Sequence, residues 1–200
     1  MTEWTDLIKK RLRESIHVKE GLLQGEQVNM MTAIGEAMVD AYRKGNKIIL
    51  FGNGGSAADA QHIAAELVGK YYFDRDPLPA IALTVNTSSL TAISNDYSYD
   101  KVFSRQLAAF GNAGDIAVGI STSGNSENVL QALNVAKEKG LTTVGFTGED
   151  GGKLKGTVDF CLRIPGNDTP RIQEGHITVG HILCEIVEMS LFGTHENKSS

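Results

Sequence analysis

Apolar residues recur at helical spacing over the first part of the chain: Leu7, Leu12 and Ile16, then Met30, Ile34 and Met38. No proline interrupts residues 3–45, so this pattern predicts helix, and Gly21 with the Gly25-Glu26 pair predicts a break into two helices. From Lys47 the texture changes to short continuous apolar runs alternating with helical stretches. Lys47–Phe51, Ala80–Thr84, Asp115–Ile120, Thr142–Phe146 and Phe160–Ile164 read as strands. Between and after them, residues 56–69, 88–94, 100–110, 126–139 and 171–192 read as helices, the fourth of these ending at Gly140.

Strands apolar throughout, alternating with helices, imply a parallel sheet covered on both faces: a doubly wound five-stranded α/β domain with a helical segment at residues 1–45. Such sheets bind ligands outside the carboxyl ends of their strands. The loops that follow the strands are therefore the informative ones.

Composition narrows the class. The chain has 200 residues, 41% hydrophobic and 22% charged, which suits one domain burying its own core. A formal net charge of -5 leaves no basic footprint for nucleic acid, and Lys9-Lys10-Arg11 with Arg13 reads as the solvated face of a helix. The two cysteines, Cys161 and Cys184, form no CxxC pair and suit a reducing compartment. No signal-peptide pattern opens the chain and no stretch reaches a membrane span, so a soluble cytoplasmic protein without a membrane partner is expected. The polar tail His195–Ser200 reads as a frayed end.

Two loops after strands carry candidate chemistry: Gly52-Asn53-Gly54-Gly55-Ser56 and Ser121-Thr122-Ser123-Gly124-Asn125-Ser126, each leading into a helix. Glycine lets backbone approach a ligand, hydroxyls add donors without charge, and a helix N-terminus attracts an anion. One such loop alone favours a capped turn, with Ser126 as N-cap; two at strand ends favour an anionic ligand. The first also fits G-x-G-x-x-A through Gly52, Gly54 and Ala57, a dinucleotide fingerprint. That reading needs an acid at the end of the second strand, where Thr84-Val85-Asn86-Thr87 supplies none. A dinucleotide-dependent oxidoreductase is therefore the weaker alternative.

His62 and Glu66 stand four residues apart and share a face of the helix that begins at the first loop. On its own the pair reads first as a surface histidine beside a carboxylate, since the spacing is common by chance. In the last helix, at about 100° per residue, positions 174 and 181 nearly eclipse, 173 and 181 lie within about 80°, and His176 and His181 diverge by about 140°. One histidine can then face a site while the other is a core histidine with its own partner.

Taken in order, five segments resemble the SIS-domain phosphoheptose isomerases, which act on sedoheptulose 7-phosphate. They are Gly52–Gly69, Ser94-Asn95-Asp96, Gly119–Ser126, Thr147–Gly152 and Arg171–His176. The resemblance spans nearly the whole chain. It implies the SIS fold, a homotetramer, one zinc ion per subunit, and conversion of D-sedoheptulose 7-phosphate to D-glycero-D-manno-heptose 7-phosphate, the first step toward nucleotide-activated heptose. It implies His62, Glu66, Gln173 and His181 as zinc ligands. Substrate contacts would be Asn53, Gly54, Gly55, Ser56, Glu66, Asn95, Asp96, Ser121, Thr122, Ser123, Ser126 and Gln173. Glu66 and His181 would be the acid–base pair for an enediol mechanism, their individual roles open. The same superfamily includes sugar-phosphate-sensing regulators and a replication-initiator binding protein; a non-catalytic role is the alternative of a different class, and Glu66 with His181 argues for the enzyme.

Overall fold

Alternate residues of each strand feed opposite cores. Ile48 and Leu50 point into one, Ile49 and Phe51 into the other, and all are at most 1% exposed. A strand buried on both faces must be covered on both, which is what the alternation of elements provides. A computed structural model of the chain describes residues 3–193. The elements are α1 (Glu3–Leu22), α2 (Gly25–Arg43), β1 (Ile48–Gly52), α3 (Gly55–Val68), β2 (Ala80–Ala82), α4 (Thr87–Asp96), α5 (Val102–Phe110), β3 (Ile116–Ile120), α6 (Glu127–Glu138), β4 (Thr142–Thr147), β5 (Phe160–Arg163) and α7 (Thr169–Phe192). Short 3₁₀ turns occupy Tyr99–Lys101 and Gly152–Gly156. The second was not expected from the sequence.

The five strands are parallel in the order β2-β1-β3-β4-β5. One core lies between the sheet and α2, α3 and α7; the other lies between the sheet and α5 and α6. Sequence and sheet order reverse between β1 and β3, so the loops leaving these two strands diverge and open a crevice at their carboxyl ends. These are the two loops singled out above.

Most boundaries agree with the periodicity. β2 does not: it stops at Ala82 rather than Thr84, because its last bond to β1, from Leu83 N to Leu50 O, is followed by a turn. Leu83 O is then taken by the Gln106 side chain at 3.0 Å. α7 starts two residues early at Thr169, with Pro170 in the first turn, where a missing N–H costs nothing. The tail His195–Ser200 lies outside the described residues. Among those described, no helix is long and apolar enough to cross a membrane.

Candidate active site

Gly52 ends β1 where a side chain has no room: a Cβ there would stand 2.8 Å from Ile120 O at the end of β3. Gly54 then takes φ +56, turning the chain into α3. Ser56 is buried beneath this turn. In the second loop the hydroxyls of Ser121 and Ser126 bond each other at 2.9 Å. Ser126 holds the N-cap position of α6, yet its side chain caps no N–H. The N–H groups of Val129 and Leu130 turn to Ser126 O, so those of Glu127 and Asn128 are the ones at the start of α6 that an anion would use. Gly124 has φ +65, and a Cβ there would fall 2.1 Å from Gly151 O. The serine loop thus packs backbone to backbone on the loop after β4. Thr122 and Ser123 line a cleft of about 420 Å³ there, with Asn125 and the start of α7 at its walls. A cleft of about 490 Å³ between α1 and the start of α7 holds none of the residues expected in the site.

The acid–base candidates meet across α3 and α7. Two glycines let these helices approach: a Cβ on Gly55 would lie 2.5 Å from the Gln173 amide, and one on Gly180 2.6 Å from Ile63. His62 Nε2 stands 3.1 Å from Glu66 Oε1 and 3.0 Å from His181 Nε2. All three ligand-type atoms lie within 4.8 Å of one another. Two apposed imidazole nitrogens need a shared proton or a cation between them. For metal–ligand bonds of about 2.0–2.1 Å, the donors of a tetrahedral site are spaced by about 3.3 Å. The donor set and its spacing therefore fit a divalent metal such as zinc. Tyr71 closes one side, its ring centroid 5.9 Å from that of His181. One turn before His62 on α3, Asp59 keeps one carboxylate oxygen buried without a partner. Burial pushes its pKa up to about 6, against the opposing influence of His62.

His176, on the other side of α7, is fully buried, with Nε2 3.1 Å from Thr147 O. Burial depresses its pKa to about 4, so it is a neutral core histidine. Glu174, though nearly eclipsed with His181, pairs instead with Arg171 at 2.7 Å. Asn95 and Asp96 sit exposed at the end of α4, hydrogen-bonded to each other at 3.0 Å. Three residues on, the Tyr99 hydroxyl donates to Asn53 Oδ1 at 2.9 Å and ties this end of the helix to the first loop.

Several residues that shape the site carry no sequence signal. The Glu188 carboxylate accepts from the backbone N–H groups of Tyr71, Tyr72 and Phe73 and from Arg75 Nε. Burial opposes its ionisation, but these donors together hold its pKa below the usual range. Arg75 in turn donates to the carbonyls of Glu66 and Leu67, closing the end of α3. Only the spacing of seven from His181, which returns Glu188 to the same face of α7, hints at this.

Comparison with known proteins agrees with this construction. A family model for the SIS domain matches residues 14–148. The phosphoheptose isomerase of Clostridium acetobutylicum is 56% identical over 189 residues, covering 94% of this chain and 96% of that one. Among solved structures, the phosphoheptose isomerase of Neisseria gonorrhoeae superposes with TM-score 0.87 at 42% identity, covering 92% of this chain and 98% of that one. That of Francisella tularensis superposes with TM-score 0.90 at 35% identity, covering 94% and 100%. With the fold, the two strand-end loops and the cluster between α3 and α7 all in place, the chain belongs to the SIS-domain phosphoheptose isomerase family.

Proposed function

We propose that this chain interconverts D-sedoheptulose 7-phosphate and D-glycero-D-manno-heptose 7-phosphate through an enediol, supplying nucleotide-activated heptose synthesis. The observation that carries the reading is the meeting of His62, Glu66 and His181 on α7 and on the helix that leaves the first glycine loop. Ketose–aldose isomerisation moves a proton between C1 and C2, which requires a base at carbon, a proton donor at oxygen, and donors for developing oxyanion charge. Glu66 and His181 are the groups for the two proton transfers. Ser121, Thr122, Ser123 and Ser126 hold the phosphate with the first-turn amides of α6. Asn53, Gly54, Gly55 and Ser56 meet the sugar from the first loop, and Asn95 and Asp96 meet its hydroxyls from the end of α4.

His62, Glu66 and His181 would hold one zinc ion per subunit, with Gln173 as a weaker amide donor that also reaches the substrate. A bound zinc supplies Lewis-acid polarisation of the carbonyl. The helices through residue 45 belong to the same SIS domain and pack both on the core and in a homotetramer. Support for the tetramer lies in α1, whose Trp4, Ile8, Leu12 and Ile16 are 56–68% exposed on one stripe. Cys161 and Cys184, unbridged, suit the cytoplasm.

The test is an assay with sedoheptulose 7-phosphate and product identification. Glu66→Gln keeps the side-chain volume and removes one member of the acid–base pair; turnover should fall by about three orders of magnitude or more, with the unfolding midpoint nearly unchanged. Chelation should reduce wild-type turnover and added zinc restore it. An active Glu66→Gln enzyme removes Glu66 from the chemistry. A protein that binds the sugar phosphate and never turns it over is a sensor rather than an isomerase.

A further inference from the structure

We infer that Asn128 and Tyr99 are positioning residues for this reaction: together they lock the Asn53 carboxamide so that it presents one N–H donor, and no free carbonyl lone pair, to the substrate. The inference rests on the isomerase reading above and assigns the donor edge of its first loop.

Asn128 lies in the first turn of α6 and is 3% exposed, so its amide needs partners inside the protein. It finds them in one residue. Asn53 Nδ2 donates to Asn128 Oδ1 at 2.9 Å and Asn128 Nδ2 donates to Asn53 Oδ1 at 2.9 Å. The two amides form a closed reciprocal pair across the crevice between the ends of β1 and β3. Such a pair is equally satisfied if both amides turn over, so by itself it does not set which edge of Asn53 faces outward. Tyr99 does. Its hydroxyl donates to the remaining lone pair of Asn53 Oδ1 at 2.9 Å. Both lone pairs of that oxygen are then taken, and of the two Nδ2 hydrogens one is used. What Asn53 has left is a single N–H at the mouth of the crevice.

The chemistry needs a donor there. An enediolate places negative charge on an oxygen that was a neutral carbonyl or hydroxyl, and a fixed N–H gains most when that charge develops. A carboxamide free to rotate would offer its oxygen as often as its nitrogen and would pay to reorganise during the reaction. Three segments remote in sequence, the β1 loop, the turn before α5 and the start of α6, converge to prevent that rotation.

The test uses the full-length enzyme and a double-mutant cycle. Asn128→Leu keeps shape and adds no charge; Tyr99→Phe removes one hydroxyl. Asn128→Leu should lower kcat about 10-fold and Tyr99→Phe about 3-fold, with unfolding midpoints within about 3 °C of wild type. In an Asn53→Ala background, neither change should lower kcat further by more than about 1.5-fold. The Kd for the sugar phosphate, measured by calorimetry over the same cycle, should rise about 3-fold for Asn128→Leu alone and stay level once Asn53 is gone. Losses that persist in the Asn53→Ala background, or wild-type values for Asn128→Leu, overturn the positioning role. A wild-type protein that binds but does not turn over the sugar phosphate removes the isomerase reading, and the Kd cycle still decides the positioning. Failure to bind at all removes both.

Discussion

Three histidines in this chain do unlike things because of what surrounds each ring. His62 and His181 have their Nε2 atoms 3.0 Å apart with a carboxylate beside them, an arrangement that invites a cation. His176 faces the sheet, fully buried and donating to Thr147 O with Phe146 against it. Its pKa of about 4 lies below the value of about 6.5 it takes in the unfolded chain. A depressed pKa means the unfolded chain binds the extra proton first. The stability due to a neutral His176 is thus fully present above about pH 6.5 and is lost as pH falls toward 4. At about 1.4 kcal/mol per unit, the loss over that window is about 3 kcal/mol. His176→Gln should therefore be less stable than wild type at pH 7 and should lose less on going from pH 7 to 5, as read by urea unfolding. Equal losses in both proteins would mean that His176 is protonated in the folded state. The divergence of His176 from His181 follows from 3.6-residue periodicity and was visible in the sequence, as was the shared face of His62 and Glu66. The Asn53 pair was not. Its partners lie 75 and 46 residues away, and nothing local in Asn128 or Tyr99 distinguishes them from a first-turn helix residue and a surface tyrosine.

At the scale of elements, the site depends on how α3 lies against α7. Gly55 and Gly180 set the approach, and the Arg75–Glu188 pair fixes the end of α3, with side chains only 2% and 1% exposed. Arg75 satisfies the carbonyls of the last turn, which α3 cannot satisfy itself because it ends without a left-handed cap. Glu188 gathers three consecutive backbone N–H groups and so folds the connection that carries Tyr71 to His181. Removing Arg75 leaves the Glu188 carboxylate buried without a countercharge, held only by its backbone N–H donors. Arg75→Met should cost about 3–5 kcal/mol in urea unfolding. The same change should lower turnover in the surviving folded protein, since Glu66 lies in the turn that Arg75 holds. A cost below about 1 kcal/mol would show that the pair is dispensable and that the glycine contacts alone hold the seam. Strands and helices were legible because burial and periodicity are local properties. This clamp was not, because a charged pair buried between a loop and a distant helix looks in sequence like two surface charges.

At the scale of the whole molecule, the topology explains why the two strand-end loops, with Asn53 and Asn128, meet at one crevice. The order β2-β1-β3-β4-β5 places its reversal between β1 and β3, and α3 and α6 begin on either side of it. The open side of that crevice is matched by an unfinished surface elsewhere. α1 has no buried residue before Val18, although it is helical from Glu3. A helix of four solvated turns is marginal in water, and its stripe of Trp4, Ile8, Leu12 and Ile16 has no cover among the described residues. Burying each such side chain contributes about 1.5–3 kcal/mol, enough over four residues and their symmetry mates to hold copies together. Replacing Ile8 and Leu12 by glutamate places charges in the middle of the stripe without touching Val18 or Leu22, which pack on the core. In sedimentation velocity the wild type should run as a tetramer, and the double variant as smaller species with the helix signal of α1 reduced. Turnover should fall with the assembly, by more at low protein concentration than at high, because mass action restores the contact. A double variant that sediments as the wild type does would place the subunit contacts on another face and leave the apolar stripe of α1 without a role in assembly.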